Sequence, residues 1–250
     1  MATSEKRPRT PSSIRFQSTS HAPESFARSP MITVYVGEEK TSFYVHEEVL
    51  RSQSPFFDKC LSSGMKEQHT KTIELPEDDP QAFEHVVAFM YGGVLDVQTK
   101  VLTDWKFAVL TYILADKLCM LRMQNIIADH LQWSEYLGMS LDTETVMWVW
   151  EHTDDACKLR DLVLDRLFYD VMFTLRHKRQ DDTAKAIGTA FEEISWAGGC
   201  LSQAVMQRWI DVADKLDRLE GRDKWLPPNP TRHIGCKYHV QDQGRKCTCI

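Results

Sequence analysis

The sequence predicts an α+β fold in which a small three-stranded sheet, flanked by a cluster of helices, is followed by an all-α extension. β-Branched and aromatic residues are concentrated at 31–45 and again at 72–75, in short segments typical of strands. From residue 80 onward, apolar residues recur at three- and four-residue spacing, which is typical of helices. Because the strands come early and the helices late, the pattern differs from that of an alternating parallel sheet.

The three strands are predicted from the turn residues that interrupt the β-favouring segments. Residues 32–36 and 43–45 form a hairpin, because Gly37 and three charged residues separate them. Thr72–Leu75 alternates polar and apolar side chains and is closed by Pro76, so we expect it to be the third strand.

Helices are predicted on both sides of the third strand. In the first half they lie at 46–50, 55–62, 80–92, 105–118 and 123–131. Ser54 and Asp79 are the expected N-caps of the second and third helices, since each precedes a proline suited to the first helical position. In the second half helices are predicted at 143–150, 154–176, 183–194 and 201–219. Trp148 and Trp150 point to opposite sides, so we expect one to pack inward and the other to mark a contact surface.

Charge is distributed unevenly along the 250 residues. The net charge is −6, but residues 1–30 carry a balance of +3, so the remainder carries −9. A net acidic folded body has no broad attraction to phosphates, which argues against nucleic-acid binding.

No apolar run approaches the roughly 20 residues that a membrane-spanning helix needs. The seven cysteines are odd in number, and the early ones are widely spaced, which predicts a reducing compartment, so we expect a cytoplasmic protein, a nuclear protein or both.

Four segments are predicted along the chain: a disordered basic arm at 1–30, a first domain at 31–131, a helical extension at 140–225 and an irregular tail containing cysteine and histidine at 226–250. The arm is rich in Pro, Ser and Thr and poor in large apolar residues, so burial cannot offset its ordering entropy. Its Lys6–Arg9 cluster is either a nuclear-localisation patch or part of a solvated tail, and the sequence leaves both interpretations open.

An ordered series of residues in the first domain follows one known pattern. The series comprises His46, Val49, Leu50, Ser54, Pro55, Phe56 and Phe57, then Ile73, Leu75, Asp79, Ala82, Phe83, Met90, Tyr91, Gly92 and Leu95, and lastly Ala115, Asp116, Lys117, Leu118 and Met120. In this order and at these spacings, the residues resemble the BTB/POZ family. The second half resembles the helical extension of many fungal proteins of this kind, in which Cys-Lys-Tyr-His near the end also recurs.

The resemblance implies a non-enzymatic protein-interaction adaptor. Members of the family homodimerise, usually through the first strand and the helix at 46–53, and some dock to the cullin scaffold of a ubiquitin ligase. In this chain the implied cullin contacts lie near residues 70–72 and on the helix at 83–92. The candidate partner-binding residues are therefore His46, Val49, Leu50, Thr70, Thr72, Phe83 and Tyr91. The alternative is a nuclear transcription-associated BTB scaffold, which needs the Lys6–Arg9 cluster for import.

Met31 and three of these candidate residues carry a further interpretation. Met31 stands where the dimer formers of the family usually carry aspartate, which argues against a strand-exchanged dimer. A half-buried imidazole needs a partner, so we expect His46 to tie the second strand to the first helix by a hydrogen bond. Phe83 and Tyr91 lie at helix-face spacing, which is typical of core residues.

The tail holds four side chains that suit zinc, Cys236, His239, Cys247 and Cys249, in the pattern Cys-x2-His-x7-Cys-x-Cys. Three interpretations remain open: a structural zinc site, a redox-active or incidental tail, and docking of Cys236 and Tyr238 onto the helical body. The sequence otherwise lacks a nucleophile elbow, a phosphate-binding loop and a zinc-protease motif, so we expect no catalytic residue and no cofactor.

Overall fold

The computed structural model of the chain describes residues 26–62, 64–95, 104–132, 143–177, 180, 182–217, 227, 229–230 and 236–241. The Lys6–Arg9 cluster lies outside these described residues. Within the described part, every helix is too short or too polar to cross a membrane.

A three-stranded sheet organises the first half of the molecule. Its strands are β1 (Met31–Val36), β2 (Thr41–His46) and β3 (Thr72–Leu75), in the order β2-β1-β3. β1 pairs antiparallel with β2 and parallel with β3, so that Val34 lies opposite both Phe43 and Ile73. Alternate residues of β1 are buried, because successive side chains of a strand point to opposite faces.

Helices pack around this sheet and complete the predicted α+β fold. They are α1 (Glu47–Gln53), α2 (Pro55–Ser62), α3 (Lys66–Thr70), α4 (Pro80–Gly92), α5 (Trp105–Lys117) and α6 (Leu121–Gln132). The sequence does not predict α3, because its five residues are all polar and none is buried, so no apolar period marks it. The other helices lie within a few residues of their predicted bounds.

The chain enters α2 and α4 through the two predicted N-caps. The Phe57 backbone N–H donates to Ser54 Oγ at 3.3 Å. The Ala82 backbone N–H donates to Asp79 Oδ1 at 2.8 Å, with a proline at the first helical position. The buried Ser54 hydroxyl also donates to the Leu118 carbonyl at 2.6 Å, so this side chain joins α2 to the end of α5.

The second half contains α7 (Thr143–His152), α8 (Lys158–Arg176), α9 (Asp182–Trp196) and α10 (Gly199–Asp217). α8 begins four residues later than predicted, because Asp154 Oδ1 accepts from the Ala156 backbone N–H in a turn. One cluster of buried apolar side chains runs from the sheet through α5 and α6 into α7, α8, α9 and α10. The extension and the first domain therefore share a core.

The residues just before β1 have a structure that the sequence does not predict. Phe26–Arg28 forms a 3-10 turn inside the segment that we expected to be disordered up to residue 30. The Phe26 ring packs edge-on against His46 and Tyr91, with ring centroids 5.0 and 5.6 Å away. Burial of an aromatic ring against two others stabilises this short segment, which corrects the expected boundary of the arm.

Candidate interaction surfaces

Three of the predicted partner-binding residues lie in the core. Val49 and Leu50 on α1 and Phe83 on α4 are fully buried. The Phe83 ring packs edge-on against Phe43 on β2 at 5.1 Å and against Phe57 on α2 at 6.4 Å. The helical period places these three side chains on inner faces, so the structure corrects their predicted role from partner binding to core packing.

His46 and Tyr91 bind each other. The His46 backbone N–H donates to the Tyr91 hydroxyl at 3.1 Å, and that hydroxyl lies 2.6 Å from His46 Nδ1. The Tyr91 hydroxyl accepts from the backbone N–H and shares a second hydrogen bond with Nδ1, in which the tautomer of the His46 ring decides the donor. His46 therefore ties β2 to α4, which corrects the expected link to the first helix, and Phe26 packs against both rings.

The predicted dimer surface on α1 is charged. Glu47 Oε2 lies 2.8 Å from Lys71 Nζ. Arg51 Nε lies 2.8 Å from Asp58 Oδ1, and its hydrogen bond is the main cause that lowers the pKa of the Asp58 carboxyl. Stable dimer interfaces are apolar and depleted in charge at their centre. The α1 surface therefore presents paired charges, and whether it forms a dimer stays a prediction.

The surface around α3 and the outer face of α4 is open to solvent. Thr70 is exposed and Thr72 is half-buried, as a predicted contact with another protein requires. The Thr70 hydroxyl donates to the Lys66 carbonyl, and the Thr72 hydroxyl donates to the Thr70 carbonyl, so local hydrogen bonds fix both side chains. Met65, just before α3, and Ala88 on α4 are exposed as well. Sequence reasoning missed Met65 because it lies outside every apolar period.

Residues 236–241 dock onto both halves of the molecule. Tyr238 and His239 are buried. His239 Nε2 lies 2.7 Å from Asp129 Oδ1 on α6. Val240 and Asn125 of α6 exchange two hydrogen bonds, with the Val240 N–H donating at 2.8 Å and the Asn125 amide donating at 3.1 Å. The tail is therefore part of the folded body at these residues, as the docking interpretation predicts.

Asp165 on α8 is the centre of the second docking contact. The Tyr238 hydroxyl donates to Asp165 Oδ2 at 2.8 Å, and Lys237 Nζ donates to the same oxygen. Arg208 Nη1 of α10 lies 2.7 Å from Asp165 Oδ1. One largely buried carboxylate thus holds the tail, α8 and α10 together. Burial is the main cause that raises the pKa of Tyr238, and Asp165 adds to it.

Two of the four predicted zinc ligands lie in the described part of the chain. Cys236 is half-buried, and His239 is bonded to Asp129 as above. Cys247 and Cys249 lie outside the described residues. Among the residues that are described, no three His, Cys, Asp or Glu side chains come together as a metal site. Zinc binding by the tail stays a prediction.

A cavity of about 570 Å³ opens where α5, the start of α8 and the tail meet. Its lining includes Tyr112, Cys157 and Cys236. The Tyr112 side chain is buried, and burial is the main cause that raises the pKa of its hydroxyl. Burial also raises the pKa of the Cys157 thiol, which keeps this thiol protonated and a poor nucleophile near neutral pH.

Comparison with known families decides the nature of the first half. Residues 28–135 match the family profile of the BTB/POZ domain. The chain contains a BTB/POZ domain. The matched residues include all three strands and α1 to α6, so the resemblance stated from the sequence is confirmed for this half. The likeness of the second half to fungal helical extensions stays a prediction.

Three curated relatives are similar to parts of this chain. A BTB/POZ domain-containing protein of Arabidopsis thaliana is 34% identical over 70 residues, 28% of this chain and 9% of that protein. The ARM repeat protein interacting with ABF2, also of Arabidopsis thaliana, is 29% identical over 149 residues, 50% of this chain and 21% of the relative. Human kelch repeat and BTB domain-containing protein 4 is 30% identical over 71 residues, 28% of this chain and 13% of the relative. The chain thus spans between 9% and 21% of the length of these relatives.

Outside the BTB/POZ domain, the exposed tryptophans differ from the predicted ones. Trp148 stacks on His152 with ring centroids 4.3 Å apart, and Trp150 lies beneath the Arg160 guanidinium at 5.2 Å, so both are partly covered. Trp196 at the end of α9 is 83% exposed, and Trp209 on α10 is 40% exposed. Trp209 lies four residues, about one helical turn, after the buried Val205 of α10, so the helical period of the sequence could have identified it.

Proposed function

We propose that this chain is a non-enzymatic adaptor in which the BTB/POZ domain binds one protein and the helical extension binds another. The observation that carries the proposal is the hydrophobic core that the BTB/POZ domain shares with the extension. The extension also exposes apolar side chains to solvent. A shared core holds two binding surfaces at a fixed separation, which is what an adaptor needs. The protonated Cys157 thiol in the cavity lends no support to nucleophilic catalysis.

The partner that we propose for the BTB/POZ domain is the N-terminal region of a cullin, which makes the chain a substrate adaptor of a cullin-RING ubiquitin ligase. The family resemblance is the first support for this partner. The second is the open surface formed by Met65, Thr70 and Thr72 together with Ala88 on α4. Val49, Leu50 and Phe83 contribute indirectly, because they hold α1 and α4 in place from the core.

The test combines the purified full chain with a cullin N-terminal domain in size-exclusion chromatography with light scattering. We expect a shared peak, and about tenfold weaker binding for Met65→Asp and Ala88→Glu, which place a charge at the proposed contact. Both positions are exposed, so these changes leave the fold intact. Glu151→Gln, on the exposed face of α7, is the control and should bind like the unmodified chain. A cullin that elutes alone at tens of micromolar removes this partner.

The same measurement on the chain alone gives its oligomeric state. Because Glu47, Arg51, Asp58 and Lys71 form ion pairs across the α1 surface, we expect any homodimer to be weak and to dissociate as salt is raised. A dimer that persists at high salt contradicts this expectation.

The alternative function, a nuclear transcription-associated scaffold, depends on the Lys6–Arg9 cluster. Cytoplasmic and nuclear residence are both compatible with the adaptor, whereas the scaffold needs nuclear import. Deletion of residues 1–25 leaves every described residue in place, so it tests import without disturbing the described fold. Unchanged localisation after this deletion argues against the import route.

A further inference from the structure

α10 has an apolar face in addition to the one that packs into the core. Leu201, Val205 and Val212 are buried. Met206 is 57% exposed, Ile210 is 55% exposed and Trp209 is 40% exposed. We call Met206, Trp209, Ile210 and the exposed Ala213 the α10 strip. Their spacing of three, four and seven residues places them on one side of the helix, beside the buried stripe.

Trp209 is held in place at one edge of the strip. Its ring lies 6.1 Å from Phe168 on α8 and 6.3 Å from Phe191 on α9, measured between centroids. The remaining exposed part of the indole is therefore presented in a fixed orientation. Partly buried tryptophans of this kind act as anchors in protein interfaces, because little conformational entropy is lost when they bind.

The surroundings of the strip are acidic. Glu192 and Glu193 are exposed on α9, and neither forms an ion pair with a described residue. Glu192 directly follows Phe191, whose ring packs near Trp209. Asp214, one turn after Ile210, is also exposed. On the described part of α10 the nearest cation is Arg208, which is turned toward Asp161 and Asp165 of α8.

We propose that the α10 strip binds an amphipathic helix of a partner protein, with apolar side chains along one face and lysines or arginines on its flanks. The inference deepens the proposed adaptor function by naming the class of partner for the extension, and it rests on that function for its biological role. The strip spans residues 206–213, eight residues or about 10 Å from the first to the last, which matches roughly two turns of a partner helix. Basic flanks of the partner meet the carboxylates beside the strip.

The acidic surroundings also argue against two other occupants. If a second copy of this chain packed strip against strip, Glu192 and Asp214 of both copies would be brought close, and like charges at an interface oppose binding. A membrane surface rich in anionic lipid repels the same carboxylates. The charge therefore favours a basic helix over either of them.

The test uses the full chain and a fluorescent helical peptide of roughly 18 residues, with leucine at the spacing of the strip and lysine elsewhere. A second peptide replaces every lysine with glutamate, and a third scrambles the first. Fluorescence anisotropy measures the affinity of each. We expect the leucine-lysine peptide to bind at least about tenfold more tightly than the other two.

Variants of the chain locate the binding site. Met206→Asp with Ile210→Asp should weaken binding of the leucine-lysine peptide by about tenfold or more, and both positions are exposed enough for the fold to tolerate the change. Val94→Asp, at an equally exposed apolar residue of the BTB/POZ domain, is the matched control and should have no effect. Glu192→Lys with Glu193→Lys should move the preference toward the leucine-glutamate peptide.

Three outcomes overturn the proposal. The first is equal affinity of the chain for all three peptides, and the second is peptide binding that the strip variants leave unchanged. The third is a homodimer that disappears in Met206→Asp with Ile210→Asp, because that result assigns the strip to a second copy of the chain. Cullin binding is measured separately through Met65→Asp, a position on the BTB/POZ domain. Failure of the cullin partner therefore leaves this result standing, and failure here leaves the cullin result standing.

Discussion

The BTB/POZ domain and the helical extension treat their exposed apolar residues differently. In the BTB/POZ domain such residues lie on different elements, as with Met31 on β1, Tyr44 on β2 and Met65 before α3. On α10 of the extension, Met206 and Ile210 lie on one side of the same helix with Trp209 between them. Exposed apolar residues on separate elements are normal on a protein surface, whereas contiguous exposed apolar patches are typical of interaction sites. The two halves thus differ in how their exposed apolar side chains are arranged, and the proposed partner of the extension rests on that difference.

The largest effect that separates the two regions is expected from Phe83→Ala. Phe83 is fully buried between β2 and α2, so its removal leaves a cavity and should lower the free energy of unfolding by about 3–5 kcal/mol. Trp196→Ala in the extension removes a larger side chain that is 83% exposed, and should change stability by less than about 0.5 kcal/mol. Urea denaturation of both variants measures the difference. Equal losses would contradict the contrast between core and binding surface.

A smaller effect is expected where the tail joins the two regions. Asp165→Ala removes the carboxylate that accepts from Tyr238 and Lys237 and that pairs with Arg208. The loss of these contacts should lower the free energy of unfolding by about 1–3 kcal/mol. Hydrogen exchange at residues 237–240 should become faster in this variant. The control is Asp155→Ala, which should have little effect, because its carboxylate is exposed and its partner Arg160 keeps hydrogen bonds to Thr153 and the Trp150 carbonyl. Unchanged exchange in the tail argues against docking through Asp165.

The same variant separates docking from the zinc interpretation of the tail. If side-chain contacts hold residues 236–241, a chelator should leave exchange there unchanged while Asp165→Ala increases it. If Cys236 and His239 bind structural zinc with Cys247 and Cys249, the purified chain contains one zinc ion, and chelation loosens the tail. Metal analysis together with exchange distinguishes the two.

Much of the fold follows from the sequence, because strands and helices are encoded by local periods. The strands around Gly37 and the caps at Ser54 and Asp79 lie where the pattern places them. α3 escapes prediction because its five polar residues have no apolar period. The turn at Phe26–Arg28 escapes for a different reason, since it depends on contacts with residues that are distant in sequence.

The candidate sites follow from the sequence less well. A family motif such as Val49, Leu50 and Phe83 identifies positions that the fold needs, and those positions are buried. Exposure depends on how helices pack against each other, so sequence alone could not tell that Trp148 is covered while Trp196 is open. The carboxylate at Asp165 also has no sequence signal, because its partners lie on α10 and in the tail.

The smallest effect is expected at alkaline pH and again concerns the tail. Burial raises the pKa of Tyr238 in the folded chain, whereas in the unfolded chain the phenol ionises near pH 10. Below about pH 10 both states keep the proton, so the contribution of Tyr238 to stability is complete. Above it, the unfolded chain loses the proton first, so the free energy of unfolding should fall by up to about 1.4 kcal/mol per pH unit. Tyr238→Phe should reduce the slope of the free energy of unfolding against pH, measured between about pH 10 and 11. The slope that remains should include the contribution of the buried Tyr112 in the BTB/POZ domain, whose pKa is also raised. An unchanged slope in Tyr238→Phe would show that the Tyr238 side chain is open to solvent, and that the tail does not join the two regions through it.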